Sequence, residues 1–558
     1  MTNRASVEVR GRRSCPEARQ AAWLRRAGGA GRVPAGATGG TTLASERQRP
    51  SDAGPVAPWL SVAAIAVIVA VLCAPFALVT IPPLTDLPGH IATAAVAAAA
   101  PESPLARYYA WHWRFVPNLG GEVLMAGLDL WLDPVRAGWL SAVIATALVA
   151  SGLMATIRAV NPRGGHGAGW ALLFVFSFPW LWGFLNFELA LGLGFWVLAA
   201  SEALRARPRS RAALLLAAQP VLFACHLMGS VVLPAAVIGL ALGAELDRRP
   251  RALRQAIAAV LADTWPCLPG PLLAAAWVLL RPHAAAGAAV WDLGAKITGF
   301  AEVLRDQSRV LDVACALVAL QLALLAGLLG ARRSWRRTMP MLVLLTMVAA
   351  LPGRVGLAAL LDVRFIPPAL MLGLGLADWR PARAPVRRAV LAAGFGLLAL
   401  RIALLAHGFA ASASAFAAEL APLDAVPMGA RIEVLVDHDC SQSQWRLDRD
   451  DLLPAIATAR RAAWTNLLWT DPAVDLLSNR RGPGHRTPNL PGNVAVNPRC
   501  GSGGPTVDAM LAASNLAEVD AVWLLGTGSP RRADPRLRLV WRRGESSLYT
   551  VAAGRGGR

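Results

Sequence analysis

Long apolar runs alternate with short polar connections along most of this 558-residue chain. Each run is about as long as a bilayer-spanning helix, or somewhat shorter. The pattern predicts a mainly α-helical, polytopic membrane protein with about eleven transmembrane helices. The predicted segments are 58–81, 137–158, 168–184, 187–204, 212–226, 227–244, 256–280, 309–331, 338–353, 362–379 and 388–407. One long helix over 212–244 is the alternative to the pair predicted there, and it would reverse every later segment.

Arginine clusters recur on every second connection between these segments. The clusters lie at 158–163, 205–211, 248–254, 332–337 and 380–388. Basic residues favour the cytoplasmic side of a membrane protein, and the basic N-terminal tail agrees with this alternation. The sequence therefore predicts a cytoplasmic N-terminus and an extracytoplasmic C-terminus.

Composition supports a membrane protein, because 55% of the residues are hydrophobic and 16% are charged, too few charges for a soluble globular protein of this size. The net charge of +20 comes from arginines between apolar segments, so no nucleic-acid partner is predicted. Residues 1–52 are rich in Arg, Gly, Ala and Ser. They predict a disordered cytoplasmic tail, and an overextended start of the sequence is the alternative.

Two regions are predicted to lie outside the bilayer, one within the transmembrane part, residues 53–407, and one after it. The first external loop, residues 82–136, is too long for a simple turn and predicts two interfacial helices, 87–100 and 119–133. From residue 408 onward Asp, Asn, Pro and Gly become more frequent, which predicts a small extracytoplasmic α/β domain over 408–558. Its predicted elements are strands 431–436 and 521–525, a helix over 452–468 and a hairpin over 537–551. A loop is predicted over 478–506, partly ordered by contacts with the membrane part.

Asp86 is the first charged residue after a run from Ala53 to Thr85 that contains none. It lies four residues before His90, which places both side chains on one face if a helix begins there. A carboxylate beside an imidazole at the membrane surface can accept a proton from a hydroxyl nucleophile. The alternative is that Asp86 caps the helix and His90 is its ion-pair neighbour.

Other polar residues collect at the outer ends of the predicted helices, where they predict an external site. The substrate-binding candidates are Asn118, Asn186, Glu188, His226, Arg281, Arg354 and Arg364. A guanidinium suits a phosphate, because its donors can engage two oxygens at once. The alternatives are that Arg364 pairs with Asp362 or reaches lipid headgroups, that Asn186 and Glu188 satisfy helix ends, and that His226 makes a structural hydrogen bond.

The seven cysteines have no metal-ligand spacing, and the chain has no phosphate-binding Gly loop or nucleophile elbow. No metal site is therefore predicted. Cys440 and Cys500 are the two cysteines of the predicted external domain, where a disulfide is permitted. A disulfide between them and two free thiols remain equal alternatives.

Four short motifs resemble the GT-C superfamily of polytopic glycosyltransferases, and in particular an uncharacterised bacterial branch. They are Thr85-Asp86-Leu87-Pro88-Gly89-His90, Val116-Pro117-Asn118, Gly183-Phe184-Leu185-Asn186-Phe187 and Val363-Arg364-Phe365. The resemblance covers about residues 55–558. Leu87 stands where many members of the superfamily have a second acid.

The resemblance implies a multi-pass protein of the bacterial inner membrane that inverts the sugar carbon and takes its sugar from a polyprenyl phosphate. It implies an envelope glycan, lipid or protein as acceptor, and no cofactor. Asp86 would activate the acceptor, and Arg354 or Arg364 would stabilise the departing lipid phosphate. The alternatives are a non-catalytic lipid-binding or assembly protein of an envelope polysaccharide pathway and, third, a transporter.

Overall fold

The structure is a computed structural model. It describes residues 55–248, 252–280, 289–331, 334–355, 358–438, 445–470, 475–480, 493–496, 506–526 and 534–552. The predicted N-terminal tail lies outside the described residues. Residues from Gly54 onward form one compact unit. A distinct C-terminal domain remains a prediction.

Helices dominate the described residues between 55 and 419. They are α1 Val62–Cys73, α2 Leu87–Ala97, α3 Leu105–Tyr108, α4 Gly120–Leu128, α5 Pro134–Val160, α6 Ala168–Leu172, α7 Phe178–Trp182, α8 Leu185–Ala203, α9 Pro208–Cys225, α10 Leu227–Asp247, α11 Leu253–Thr264, α12 Pro269–Leu280, α13 Leu293–Glu302, α14 Arg309–Ala331, α15 Trp335–Ala350, α16 Ile366–Leu376 and α17 Ala384–Glu419. Each of the eleven predicted segments contains helix, which agrees with the predicted fold class.

Within the described residues, four helices are long and apolar enough to cross a membrane. They are Pro134–Val160, Leu227–Asp247, Arg309–Ala326 and Ala384–Ala425. The pair α11 and α12, bent by 64°, raises the number to five if it is one span. The predicted number of eleven is therefore not confirmed. One reason is that some predicted segments are broken, as in 168–184, where α6 and α7 are separated by a 3-10 turn.

Close helix packing and local caps explain the helical core. Asp133 begins α5 by accepting hydrogen bonds of 3.1 Å from the backbone N–H groups of Val135 and Arg136. Further along, α5 meets α8 at Gly152 and Gly192, where an added Cβ would collide with the facing helix. Small residues of this kind let two membrane helices approach closely.

His226 separates α9 from α10, because its backbone is extended (φ −164°, ψ 132°). Its Nδ1 accepts hydrogen bonds from the N–H groups of Met228 and Gly229 and caps α10. The pair of helices predicted over 212–244 is therefore present, and the single long helix is not.

The C-terminal segment, residues 420–552, adds a six-stranded mixed sheet. The strands of the chain are β1 Tyr109–Trp111, β2 Ala289–Val290, β3 Arg354–Val355, β4 Ala358–Ala359, β5 Arg431–His438, β6 Trp464–Thr465, β7 Leu477–Asn479, β8 Asn493–Val496, β9 Ala521–Gly526, β10 Leu537–Arg543 and β11 Ser546–Val551, and the last two helices are α18 Ile456–Arg461 and α19 Val507–Ala513. The sheet order is β10-β11-β9-β5-β6, and β8 also pairs with β5. β5 is parallel to β6, β8 and β9. β11 is antiparallel to both of its neighbours, β9 and β10.

The predicted strands and hairpin of this segment are present, but the predicted helix is too long. The loop that was expected to be partly ordered contains short strands. The helix predicted over 452–468 ends at Arg461, because Ala462 takes a left-handed conformation (φ 48°) and the chain then enters β6. The predicted loop 478–506 contains β8 and most of β7. Pairing with distant strands, β5 and β1, makes both short stretches extended, which no local pattern indicates.

Strand pairing and buried ion pairs attach the C-terminal segment to the rest of the molecule. β7 pairs antiparallel with β1 of the first external loop. Arg449 forms a buried ion pair with Asp306. The indole N–H of Trp445 donates 2.9 Å to Asp312, which also pairs with Arg401 of α17. The segment is therefore held against the outer part of the helical region.

Candidate active site

A glycine turn after α7 positions Asp86. Gly183 has a left-handed backbone (φ 102°), and a Cβ there would lie 2.6 Å from the amide nitrogen of Asp86. The same amide donates 2.8 Å to the carbonyl of Trp182. Gly183 therefore lets this turn support the start of α2 directly, because any side chain at this position would push Asp86 away.

The carboxylate of Asp86 does not cap α2, contrary to the alternative drawn from the sequence. It lies at the N-cap but accepts no capping hydrogen bond. Burial raises the pKa of Asp86 to about 7, Asp451 adds to the rise, and the nearby positive charges of His90 and Arg364 oppose it. A carboxylate with a pKa near neutrality is suited to accept a proton.

His90 hydrogen-bonds through Nδ1 to Glu122 of α4 at 3.3 Å. Burial acts to lower the pKa of His90, but the bond to Glu122 and the charges of Glu122, Asp86 and Asp475 outweigh it and raise the pKa. The structure thus brings Asp86 and His90 together as predicted. It also places a second carboxylate, that of Glu122, beside His90, although the residue next to Asp86 in the chain is Leu87 and not an acid. Glu122 appeared in the sequence only as part of a polar stripe.

Asn186 orders this group from the start of α8. Its Nδ2 donates to Glu122 Oε2 at 3.1 Å and to the Oδ1 of Asn118 at 2.9 Å, and its Oδ1 accepts from the backbone N–H of Gly121. Asn118 and Asn186 are therefore joined as expected of one site. Asn186 bonds directly to Glu122, and Asn118 bonds to Asn186. The pair therefore positions the carboxylate of Glu122 and does more than satisfy a helix end.

Arg364 and His226 face each other as two donors. The Arg364 Nη1 lies 3.1 Å from His226 Nε2. Because His226 Nδ1 accepts two backbone hydrogen bonds, its neutral ring carries the proton on Nε2. A guanidinium also only donates, so these two groups do not satisfy each other. An anionic oxygen between them would accept from both.

Further contacts fix the guanidinium of Arg364. It lies 3.9 Å from the centre of the Phe184 ring, and its Nη2 donates 3.2 Å to the carbonyl of Ala359. Its Nε is buried without a partner among the described residues. The motif around Gly183 therefore serves three groups, because it supports Asp86, stacks Phe184 on Arg364 and supplies Asn186.

Arg354 and Asp362 do not belong to this cluster. Arg354 is exposed and lines a separate cavity of about 370 Å³ that also borders Asp292 and Glu302. Asp362 pairs with Lys296 at 2.6 Å and accepts a hydrogen bond of 2.8 Å from the N–H of Val363. The alternative that Arg364 pairs with Asp362 is therefore wrong, because Lys296 occupies that carboxylate.

The remaining candidates fall into two groups. Glu188 is buried in α8, and neither carboxylate oxygen has a partner among the described residues, so it joins no polar cluster there. Arg281, Cys440 and Cys500 lie outside the described residues, and their predicted roles remain predictions. The described residues contain no group of three or more His, Cys, Asp or Glu side chains that could hold a metal ion.

No protein-family model matches the chain, and no curated protein matches it. Among solved structures, the chain is similar to the single-particle cryo-EM structure of the arabinofuranosyltransferase AftD from Mycobacteria, with 18% sequence identity and a TM-score of 0.44. The similarity covers 88% of this chain and 40% of that chain, so this chain spans less than half the length of AftD.

Proposed function

We propose that this chain is a membrane glycosyltransferase of the bacterial inner membrane. It takes a sugar from a polyprenyl-phosphate donor and transfers it to a hydroxyl group of an envelope glycan, lipid or protein on the outer side. Side chains and the two substrates suffice for each proposed step, without a cofactor. The alternative, a non-catalytic lipid-binding or assembly protein, would use the same anion site without the transfer.

One observation carries this proposal: a buried carboxylate lies within electrostatic reach of a guanidinium whose Nη1 faces a second donor, the Nε2–H of a histidine, with no acceptor for either. The carboxylate is Asp86, and the donors are Arg364 and His226. An inverting transfer needs a base for the incoming hydroxyl and positive groups for the leaving phosphate. Both kinds of group meet here at the turn around Gly183.

The transfer is a single displacement. Asp86 takes the proton of the acceptor hydroxyl while the oxygen attacks the anomeric carbon of the donor sugar. The bond from that carbon to the phosphate oxygen breaks, and its electron pair leaves with the lipid phosphate. Arg364 and the Nε2–H of His226 stabilise the added negative charge. The products are the inverted glycoside, the polyprenyl phosphate and a protonated Asp86, which then releases its proton to water.

His90 and Glu122 act as positioning residues for Asp86. The hydrogen bond between them keeps a positive imidazolium near Asp86, and this charge opposes the effect of burial on the carboxyl pKa. The base therefore remains ionised in a useful fraction at neutral pH. Without such a neighbour, burial alone would raise the pKa further.

The variant Asp86→Asn tests the proposal in the full-length protein, purified in lipid nanodiscs and supplied with a panel of polyprenyl-phosphate pentoses and hexoses. Removing a general base lowers transfer by about 10²–10⁴-fold. Because the folded-state pKa of Asp86 is raised from 3.8 to about 7, its ionisation lowers stability as pH rises between these two values, and the full cost remains above pH 7. Asp86→Asn should therefore melt at pH 8 no lower than the wild type.

Asp292→Asn is the matched control. Asp292 also lies at a helix N-cap, where it accepts a hydrogen bond of 3.0 Å from the N–H of Ala295, and it lies outside the cluster around Asp86. Its transfer rate should stay within about twofold of the wild type. Full activity of Asp86→Asn would refute the role of the base. Donor lipid binding without transfer by the wild type would instead favour the non-catalytic alternative.

A further inference from the structure

Positive and negative side chains lie on different sides of the proposed site. The cations Arg364 and, through its Nε2–H, His226 face the anion site. The groups that act on His90 are acids, namely Glu122, Asp86 and Asp475. If the donor phosphate takes the cationic side, the region around His90 remains for the acceptor. That region is negatively charged.

An aromatic ring from the C-terminal segment lies at this acidic side. The ring centre of Trp469 is 5.4 Å from that of His90, and the ring is partly exposed. A Cβ at Gly89 would come within 2.7 Å of two carbons of the Trp469 ring. Gly89 therefore lets the indole lie directly against the first turn of α2, next to the proposed base.

The indole is held in place by contacts on both sides of it in the sequence. Thr85 donates 3.1 Å to the carbonyl of Asp448. The hydroxyl of Tyr109 donates 2.9 Å to the carbonyl of Thr465 and accepts 3.1 Å from its N–H. With the pairing of β1 and β7, these bonds attach the Trp469 region to the first external loop. The surface is preorganised, which lowers the cost of binding.

We propose that Trp469 and the acids around His90 form the acceptor subsite, and that the acceptor is a neutral, hydroxyl-rich sugar ring. This inference rests on the proposed glycosyl transfer. An aromatic face packs against the apolar C–H face of a sugar, and carboxylates accept hydrogen bonds from its hydroxyls. An acceptor ring that carries a carboxylate is rejected by like charge. The C-terminal segment is thus a wall of the site that selects the acceptor.

Binding of defined glycans to the full-length protein in nanodiscs tests this subsite without any turnover. The probes are the methyl glycoside of a neutral disaccharide and the matching disaccharide with a uronic acid, and saturation-transfer NMR measures both. The neutral probe should bind at least tenfold more tightly. Trp469→Ala should weaken its binding about tenfold or more, and Trp469→Phe by only a few fold. Trp131→Ala, which removes an exposed indole of the first external loop, should have no effect.

A second variant tests the subsite even if Trp469→Ala does not fold. Asp475→Asn should tighten binding of the uronic acid probe about fivefold, whereas binding of the neutral probe should weaken by no more than about twofold, because the amide oxygen still accepts a hydrogen bond from a hydroxyl. Equal binding of both probes by the wild type, or unaltered binding in Trp469→Ala, would overturn the proposal. Asp86→Asn separates the two hypotheses, because it should lose transfer while Trp469 and the other acids still hold the glycan, so that binding weakens by no more than a few fold. If transfer is never observed but Trp469 still governs glycan binding, the subsite stands and the transferase proposal fails.

Discussion

Asp86 and Asp362 are both N-cap residues, Asp86 of α2 and Asp362 of the 3-10 turn Val363–Phe365. Their carboxylates nevertheless have different surroundings. Asp362 is buried, pairs with Lys296 and caps the N–H of Val363. Asp86 accepts no capping hydrogen bond, and its pKa is raised to about 7 by burial. Lys296 satisfies the carboxylate of Asp362, whereas burial makes ionisation of Asp86 costly, as expected of the proposed base. Satisfied polar groups indicate structure, and unsatisfied ones indicate a ligand.

The arginines two residues after Asp362 and eight residues before it make the same contrast. Arg364 faces His226 with an unpartnered Nε among the described residues. Arg354 is exposed beside a separate cavity that also borders two acids, Asp292 and Glu302. Equal candidates in the sequence therefore have different surroundings, and only Arg364 has the donor geometry of an anion site.

The largest effect is expected on stability at the structural pair. Lys296→Met leaves the buried carboxylate of Asp362 without its partner, which lowers the free energy of unfolding by about 3–5 kcal/mol. Denaturant unfolding in detergent micelles measures this change. Transfer per folded molecule should remain within about twofold. A large loss of activity at unchanged stability would show that Asp362 and Asp86 share one function.

Two controls accompany this experiment. Asp424→Asn breaks a pair between Arg461 and a fully exposed carboxylate, which should cost less than about 1 kcal/mol. Lys296→Met combined with Asp362→Asn removes both charges and should recover most of the lost stability.

Arg364→Lys should lower transfer by about 10–100-fold. Lysine keeps the charge but loses the planar set of donors and the stacking on Phe184. The loss should appear as weaker binding of a polyprenyl phosphate as well as slower turnover. Arg354→Lys is the matched control and should change transfer by less than twofold. Equal losses in both variants would place the phosphate between them and contradict the assignment to Arg364.

The pH profile should have a midpoint near pH 7. Burial raises the pKa of Asp86 to about 7 against the charges of His90 and Arg364 and with that of Asp451. The base form therefore increases from pH 6 to pH 8, and transfer should rise about tenfold over this interval. Initial rates under saturating substrates measure the profile. A rate independent of pH between 6 and 8 would exclude Asp86 as the titrating base.

The smallest effect is expected from Glu122→Gln. Loss of this charge removes the group that most raises the pKa of His90, so less imidazolium remains beside Asp86. The midpoint of the pH profile should move upward by up to about one unit, and transfer at pH 7 should fall a few fold. A purely structural role would lower the melting temperature without moving the midpoint.

The polar groups of the site could be predicted only in part from the sequence. Asp86, His90, Asn186, His226 and Arg364 were candidates because they follow apolar segments and lie at predicted outer ends. Their alternatives stayed open, since spacing does not tell which partner a carboxylate or a guanidinium meets. Glu122 and Trp469 were missed as site residues because they reach it from 32 residues later in the first loop and from the C-terminal segment.

The sequence by itself determined the mainly helical architecture and four of the six strands of the C-terminal sheet, β5, β9, β10 and β11, because apolar periodicity and length act locally. It also determined which residue types collect outside the helices. Only the tertiary structure decided that Asp362 pairs with Lys296 and that Arg364 faces His226. It also decided that the carboxylate of Glu122 lies beside His90. These outcomes depend on side chains far apart in the chain, and a buried charge takes its role from whichever partner the fold brings to it.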